Sequence, residues 1–217
     1  MKSYKILTVF GIPLYISRVW LIFTAFIILM NIWTTPAFIF TFLAAYTFVT
    51  IHEYGHGIVA MRLGHECKNI TIYPYAGVAM VQPFSGNPRH EFLISIAGPA
   101  TNFLFSCMFF PLLWLRNDYM NILFAINVVL LIFNLLPLFP MDGGRIYKAI
   151  LTSYLKNDLK AMKIAVRTNL IVAPIIAVVA CYYGAYMVAI IMAIIVLVGL
   201  AGYRAARLRG NSIGTVE

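Results

Sequence analysis

Charged residues are scarce in this sequence. Asp, Glu, Lys and Arg make up only 11% of the 217 residues, whereas a soluble domain carries roughly 25%. Hydrophobic residues account for 62% of the chain, and its mean hydropathy is +0.89. The composition therefore excludes an ordinary soluble domain and predicts a protein of the lipid bilayer.

Cysteine is also rare, and the three cysteines are isolated. Cys67, Cys107 and Cys181 are odd in number and contain no C-x-x-C spacing. This pattern indicates neither a disulfide framework nor a thiolate zinc site. We interpret the three residues as packing residues or inert thiols.

Apolar stretches divide the chain into six predicted transmembrane helices. The uncharged run from Val19 to Ile51 is interrupted only near residues 31–36, so it is long enough for one span and most of a second. The remaining stretches lie at about residues 92–115, 119–137, 170–183 and 185–202.

Acidic residues are few, seven against sixteen basic ones, which gives a net charge of +9. With six spans, every Lys and Arg except Arg116 falls on one side of the membrane. By the positive-inside rule both termini are cytoplasmic, and the basic excess indicates contact with anionic lipid rather than a nucleic-acid partner.

Two segments outside the spans favour β-structure. Residues 5–16 precede the first span, and residues 68–85 lie between the second and third spans. Pro83 to Pro88 form a predicted loop at the end of the second segment. We therefore predict an all-α membrane protein with short membrane-associated strands in these two places. The chain is interpreted as one polytopic domain, 1–217, with a core at 36–145, in which the basic segment 145–167 is an interfacial helix.

The second span ends in His52-Glu53-Tyr54-Gly55-His56. On a helix, imidazoles at i and i+4 lie on one face one turn apart, so both can reach one metal ion. Ionisable groups within a span are costly, and a divalent cation would compensate them. The alternative is a polar cluster that neighbouring helices satisfy.

A catalytic zinc site normally takes three protein ligands. His65 and His90 lie in polar settings typical of solvated or capping residues, whereas Asp142 borders an apolar run. Pro137 and Pro140 interrupt the helix before it and force an extended stretch. Asp142 would then open a new helix, either as a metal ligand or only as its N-cap.

These segments resemble the paired signature of the site-2 protease family of intramembrane metalloproteases. The first part is His52–His56, and the second is Asn-Leu-Leu-Pro-Leu-Phe-Pro-Met-Asp-Gly-Gly-Arg at 134–145. Residues 75–80 are similar to the family's glycine-rich strand, with Ala76 where a second glycine is common, and 97–102 to its Ala-Gly-Pro-x-x-Asn element. The six-helix layout is like that of the compact archaeal and bacterial branch, and no segment resembles the PDZ or CBS domain that many members carry.

The resemblance implies a zinc-dependent endopeptidase with one Zn²⁺ per chain. His52, His56 and Asp142 would hold the metal, and Glu53 would act as general base toward an activated water. The substrate would be the transmembrane or membrane-proximal segment of a membrane-anchored protein, cleaved at the plasma membrane of a prokaryote. The sequence leaves the oligomeric state and the natural substrate open.

Two asparagines receive roles from the resemblance. Asn134 is similar to a position that helps to hold substrate or the developing oxyanion, and its alternative role is to close a helix end. Asn102 either contacts substrate or supports close helix packing.

Segment 70–82 could present an edge to an extended substrate chain or could merely cover the site.

Three other functions compete. A transporter or metal channel would explain intramembrane ligands but not a non-ligating Glu53. A histidine-box oxygenase resembles a diiron protein and would need more than the four histidines present. An inactive, binding-only member of the protease family would be expected to lack a core residue, and all four are present.

Overall fold

The computed structural model describes residues 2–33, 36–74, 76–81 and 87–213, and side chains as far as residue 208. Parts of three features named above lie outside the described residues. They are residues 34–35 of the interruption near 31–36, Tyr75 of the glycine-rich strand, and residues 83–86 of the predicted loop.

The chain forms two compact units, the first comprising residues 1–85 and 96–133 and the second residues 86–95 and 134–217. The interpretation of 1–217 as a single domain stays a prediction. The elements up to the end of the fourth long helix are β1 (Ser3–Val9), β2 (Ile12–Ser17), α1 (Arg18–Asn31), α2 (Pro36–Arg62), β3 (Cys67–Ile72), β4 (Gly77–Val81), α3 (Pro88–Phe109), a 3-10 helix (Phe110–Leu115) and α4 (Asp118–Leu135).

The strands are in the two places that the sequence predicts, and they join in one sheet of order β1-β2-β3-β4. Phe10 and Gly11, both with positive φ, make the β1–β2 hairpin turn. β2 pairs in parallel with β3, with Leu14 opposite Ile70, and β3 pairs antiparallel with β4. This parallel pairing connects the N-terminal hairpin to the segment that follows α2.

One face of the sheet packs against α2. Tyr54 of that helix belongs to a buried cluster whose other members come from the strands and are Ile12, Leu14, Cys67, Ile70 and Ile72. Ile12 and Ile70 are completely inaccessible to solvent. The sheet is therefore fixed to the helix that carries the two histidines.

Five described helical segments are long and apolar enough to cross a membrane, and they comprise α2, α3 with the 3-10 helix, α4, Asp158–Tyr182 and Tyr186–Leu208. α1 is apolar but only 14 residues long. At 1.5 Å per residue it rises about 21 Å, less than the roughly 30 Å of a hydrocarbon core. The described residues thus contain five candidate membrane-spanning helices, and the structure does not confirm a count of six spans.

The second unit contains α5 (Asp142–Leu155), α6 (Asp158–Tyr182) and α7 (Tyr186–Ile213). The prediction of one interfacial helix over residues 145–167 is wrong. Lys156 adopts a left-handed conformation with φ 53° and ends α5, and the Asn157 side chain caps α6 by accepting from the Lys160 N–H. Residues 158–167 therefore begin a long apolar helix.

Candidate metal centre

His52 and His56 meet one turn apart on α2. Their Nε2 atoms are 3.1 Å apart, and the residues are only 4% and 5% exposed. Two ring nitrogens that approach so closely in a buried place need a shared partner, because their lone pairs repel unless a proton or a cation lies between them.

Asn102 of α3 fixes the orientation of the first imidazole. Its Oδ1 atom is 2.6 Å from Nδ1 of His52. Because a carboxamide oxygen only accepts, Nδ1 carries the hydrogen and Nε2 keeps its lone pair. The Asn102 Nδ2 group donates in turn to Oδ1 of Asn127 in α4 at 3.1 Å. Both asparagines are fully buried, with exposures of 1% and 0%.

Gly98 of α3 leaves open the space in front of the two imidazoles. A Cβ atom at this position would lie 2.6 Å from Nε2 of His52 and would overlap the His56 ring. Ligands of a tetrahedral zinc site are about 3.3 Å apart, given zinc–nitrogen bonds of about 2.0–2.1 Å. The separation of the two Nε2 atoms and the space kept by Gly98 fit a zinc ion held by both histidines.

Glu53, between the two histidines in sequence, is half-buried beside β4. Its Oε2 atom accepts a hydrogen bond of 2.9 Å from the Ala79 N–H. Gly77 permits this approach, because a Cβ there would lie 2.7 Å from Cγ of Glu53 and 3.0 Å from Val49. The backbone of β4 thus holds the Glu53 carboxylate. The carboxylate is carried by the same helix as the two histidines, and it is bonded to the strand rather than to their rings.

Asp142 is the first residue of α5 and is 7% exposed. The N-cap position of this helix is Met141, whose side chain makes no capping bond, so Asp142 is not the N-cap. The Arg145 guanidinium lies 3.8 Å from Oδ1 of Asp142, one turn along the helix.

Among the described residues, one group of His, Cys, Asp and Glu side chains could hold a metal ion, and it comprises His52, His56 and Asp142. His52 and His56 belong to the first unit and Asp142 to the second, and all three residues are buried. Two imidazoles and a carboxylate are the donor set of a catalytic zinc site that keeps a fourth position for water. The residues present therefore fit the predicted cofactor.

The other candidate residues are not members of the metal-binding group. Asn134 is half-buried in the last turn of α4, and its predicted contact with substrate stays a prediction. His65 lies in the loop before β3 and His90 in the first turn of α3, outside the metal-binding group. Burial raises the pKa of the Cys67 thiol, and the negative charge of Glu53 raises it further. The thiol therefore stays protonated and is unsuited to metal binding.

Asn127 is a residue that sequence reasoning missed. Its signal was present, since a carboxamide in the middle of an 18-residue apolar helix needs a hydrogen-bond partner. The sequence does not say which polar group of another helix supplies that partner.

Comparison with known proteins places the chain in a family. The model of "Peptidase family M50" matches residues 40–118 and 115–178, which include both histidines, Glu53 and Asp142. The zinc metalloprotease MJ0392 of Methanocaldococcus jannaschii is 33% identical over 171 residues, 75% of this chain and 49% of that protein. Stage IV sporulation protein FB of Bacillus subtilis is 29% identical over 126 residues, 56% of this chain and 43% of that protein.

A solved structure is similar over nearly its whole length. The site-2 protease from Methanocaldococcus jannaschii matches with a TM-score of 0.68 and 27% identity, over 92% of this chain and 94% of that one. In contrast, the chain spans about half the length of the first curated relatives it matches. The relatives' names and the metal-binding group confirm the prediction of zinc as the cofactor.

Proposed function

Because the chain belongs to peptidase family M50, the site-2 protease family, we propose that it is a zinc-dependent endopeptidase that cleaves membrane-anchored proteins within or beside the bilayer. One observation carries the proposal. The Nε2 atoms of His52 and His56 converge at 3.1 Å on a helix long enough to cross a membrane. Glu53, which is not one of the proposed metal ligands, lies between the two histidines in sequence.

Each residue of the group has one task in this proposal. His52, His56 and Asp142 hold the zinc, and Asn102 keeps His52 in the tautomer that presents Nε2. A zinc ion in such a site supplies Lewis-acid polarisation of the scissile carbonyl and of a water molecule. Glu53 takes the proton of that water as it attacks the carbonyl carbon and returns a proton to the leaving amine.

The sheet gives this chemistry a place to receive an extended chain. β4 is the last strand of the sheet, and its Ala79 N–H is directed to Glu53 rather than to β3. The outer edge of β4 therefore borders the proposed base. A substrate segment that unwinds and adds to this edge would bring its peptide bonds next to Glu53. The alternative role for β4 is to cover the site.

Orientation in the membrane is part of the proposal. If α1 crosses together with the five longer helices, fifteen of the sixteen Lys and Arg residues lie on one side, and both termini are cytoplasmic. α1 would then need local thinning of the bilayer or flanking residues to complete its span. A prokaryotic plasma membrane fits the family resemblance.

The deciding experiment compares Glu53→Gln with His56→Ala. Purified protein is assayed for bound zinc and for cleavage of a substrate that carries one transmembrane helix, in detergent or liposomes. We expect Glu53→Gln to retain zinc and to lose cleavage by at least a hundredfold, because general base catalysis contributes about 10²–10⁴-fold. His56→Ala should lose both zinc and activity.

Arg116→Gln is the control, since Arg116 follows the 3-10 helix, is not a member of the metal-binding group, and is the one basic residue that the charge pattern assigns to the opposite side of the membrane. It should behave as the wild type in both assays. Cleavage by Glu53→Gln at the wild-type rate would overturn the assignment of the base, and zinc retention by His56→Ala would overturn the assignment of the ligands.

A further inference from the structure

The carboxylate of Asp142 is presented by a tight loop, residues 136–141, between α4 and α5. Within it the Leu138 N–H donates to the Leu136 carbonyl at 2.7 Å, and the Met141 N–H donates to the Leu138 carbonyl at 2.8 Å. Gly143 and Gly144 pack directly against the backbone of this segment, since a Cβ on either would overlap it. The position of Asp142 therefore depends on the position of the loop.

Asn169, in the interior of α6, forms hydrogen bonds with the backbone in the middle of this loop. Its Oδ1 atom accepts from the Phe139 N–H at 3.0 Å, and its Nδ2 group donates to the Phe139 carbonyl at 2.5 Å. One carboxamide thus satisfies both polar groups of a single loop residue, as a neighbouring β-strand would. Asn169 is completely buried, and it directly follows the polar residues Arg167 and Thr168 in α6.

Gly199 of α7 provides the space for this contact. A Cβ at this position would lie 2.7 Å from Nδ2 of Asn169 and 2.9 Å from the Phe139 carbonyl oxygen. One turn away, a Cβ at Gly202 would make only ordinary contacts of 3.6 Å with Met162 and Phe139. The two glycines of one helix therefore differ in whether they can accept a methyl group.

We propose that Asn169, seated against Gly199, is a positioning residue that holds the loop before Asp142 and thereby sets the affinity of the metal centre. The inference rests on the proposed function, because it takes Asp142 as a zinc ligand. It assigns a role to α6 and α7 beyond anchoring in the membrane. Residues that orient a metal ligand typically contribute tenfold to a hundredfold in affinity.

The test measures zinc dissociation constants of the purified full chain by competition with a chromophoric chelator. We expect Asn169→Leu to weaken zinc binding about tenfold or more, since it keeps the side-chain volume and removes both hydrogen bonds. Gly199→Ala should weaken binding in the same direction, whereas Gly202→Ala, the matched control, should retain wild-type affinity. Proteolytic activity of the first two variants should recover when excess zinc is supplied.

A double variant separates positioning from general destabilisation. In an Asp142→Ala background we expect the two histidines to bind zinc weakly. Adding Gly199→Ala should then cause no further loss of affinity, because the loop carries no ligand. An additional loss of the same size would overturn the proposal, as would wild-type zinc affinity in both Asn169→Leu and Gly199→Ala. If Asp142→Ala alone leaves the zinc affinity unchanged, the ligand assignment of the proposed function fails, and the role of Asn169 fails with it.

Discussion

Asn102 and Asn127 form a chain of hydrogen bonds that ends on Nδ1 of His52. The pair joins three helices through two carboxamides, and neither side chain reaches solvent. Such a chain restricts His52 to one ring orientation and one tautomer. The affinity of the metal centre should therefore depend on residues that never touch the metal.

We expect Asn102→Leu to weaken zinc binding by about tenfold to a hundredfold, because Nδ1 of His52 loses its acceptor. Asn127→Leu should have a smaller effect, since it removes only the partner of Asn102 Nδ2. Ser106→Ala is the control, as this hydroxyl lies on the same helix and bonds the Asn102 backbone at 2.8 Å. The same chelator competition measures all three, and wild-type affinity in Asn102→Leu would contradict the assigned orientation of His52.

At the scale of residues, the sequence indicates which side chains take part in the site far better than it indicates what they contact. The spacing of His52, Glu53 and His56, together with Asp142, can be recognised from the linear pattern alone. The partners of Asn102, Asn127 and Asn169 cannot, because each is a carboxamide that could bond any polar group on several helices. Only the packing of the helices decides which one it meets.

At the scale of elements, a buried ion cluster joins the starts of α3 and α6 to α5. The Lys148 ammonium lies 3.1 Å from the Glu91 carboxylate and 2.7 Å from Asp158. Glu91 and Lys148 are 8% and 9% exposed, whereas the Asp158 side chain is 58% exposed. Lys148 is thus the common cation of two acids on two other helices.

Lys148→Met should lower the free energy of unfolding by about 3–5 kcal/mol, because the Glu91 carboxylate stays buried without its lysine partner. Lys160→Met, on an exposed face of α6, removes the same charge and should change stability by less than about 0.5 kcal/mol. Unfolding of both variants in detergent, followed by circular dichroism, makes the comparison. Equal stabilities would show that the cluster does not hold these helices.

The order of the elements follows from hydropathy and from glycine and proline, but two features do not. The parallel pairing of β2 with β3 joins segments separated by all of α1 and α2, and local periodicity carries no information about such a partner. The break at Lys156 depends on a left-handed residue that is not glycine. A non-glycine residue in this conformation gives no signal in the sequence.

At the scale of the whole molecule, the distribution of charge makes a prediction about orientation. Lys156, between α5 and α6, should lie in the cytoplasm, and Tyr183, which is 78% exposed after α6, should lie outside. Single cysteines at these positions, in a chain whose three native cysteines are replaced by serine, can be labelled on intact cells with a membrane-impermeant maleimide.

We expect Tyr183→Cys to react in intact cells and Lys156→Cys to react only after the membrane is opened. The opposite pattern would reverse the orientation of the chain, and reaction of both in intact cells would show that α6 does not cross the membrane.

The parallel pairing of β2 with β3 also determines which residues a stable fragment of the protein must include. The match to the family model starts at residue 40. Ile12 of β2 nevertheless has no accessible surface and packs against Tyr54, which lies between the two histidines in sequence. A recombinant fragment that begins at residue 40 would lack β1 and β2. It would expose the edge of β3 that pairs with β2 and the apolar face of α2 that packs against the sheet. It would offer other chains a template for strand pairing and would self-associate before it could be assayed.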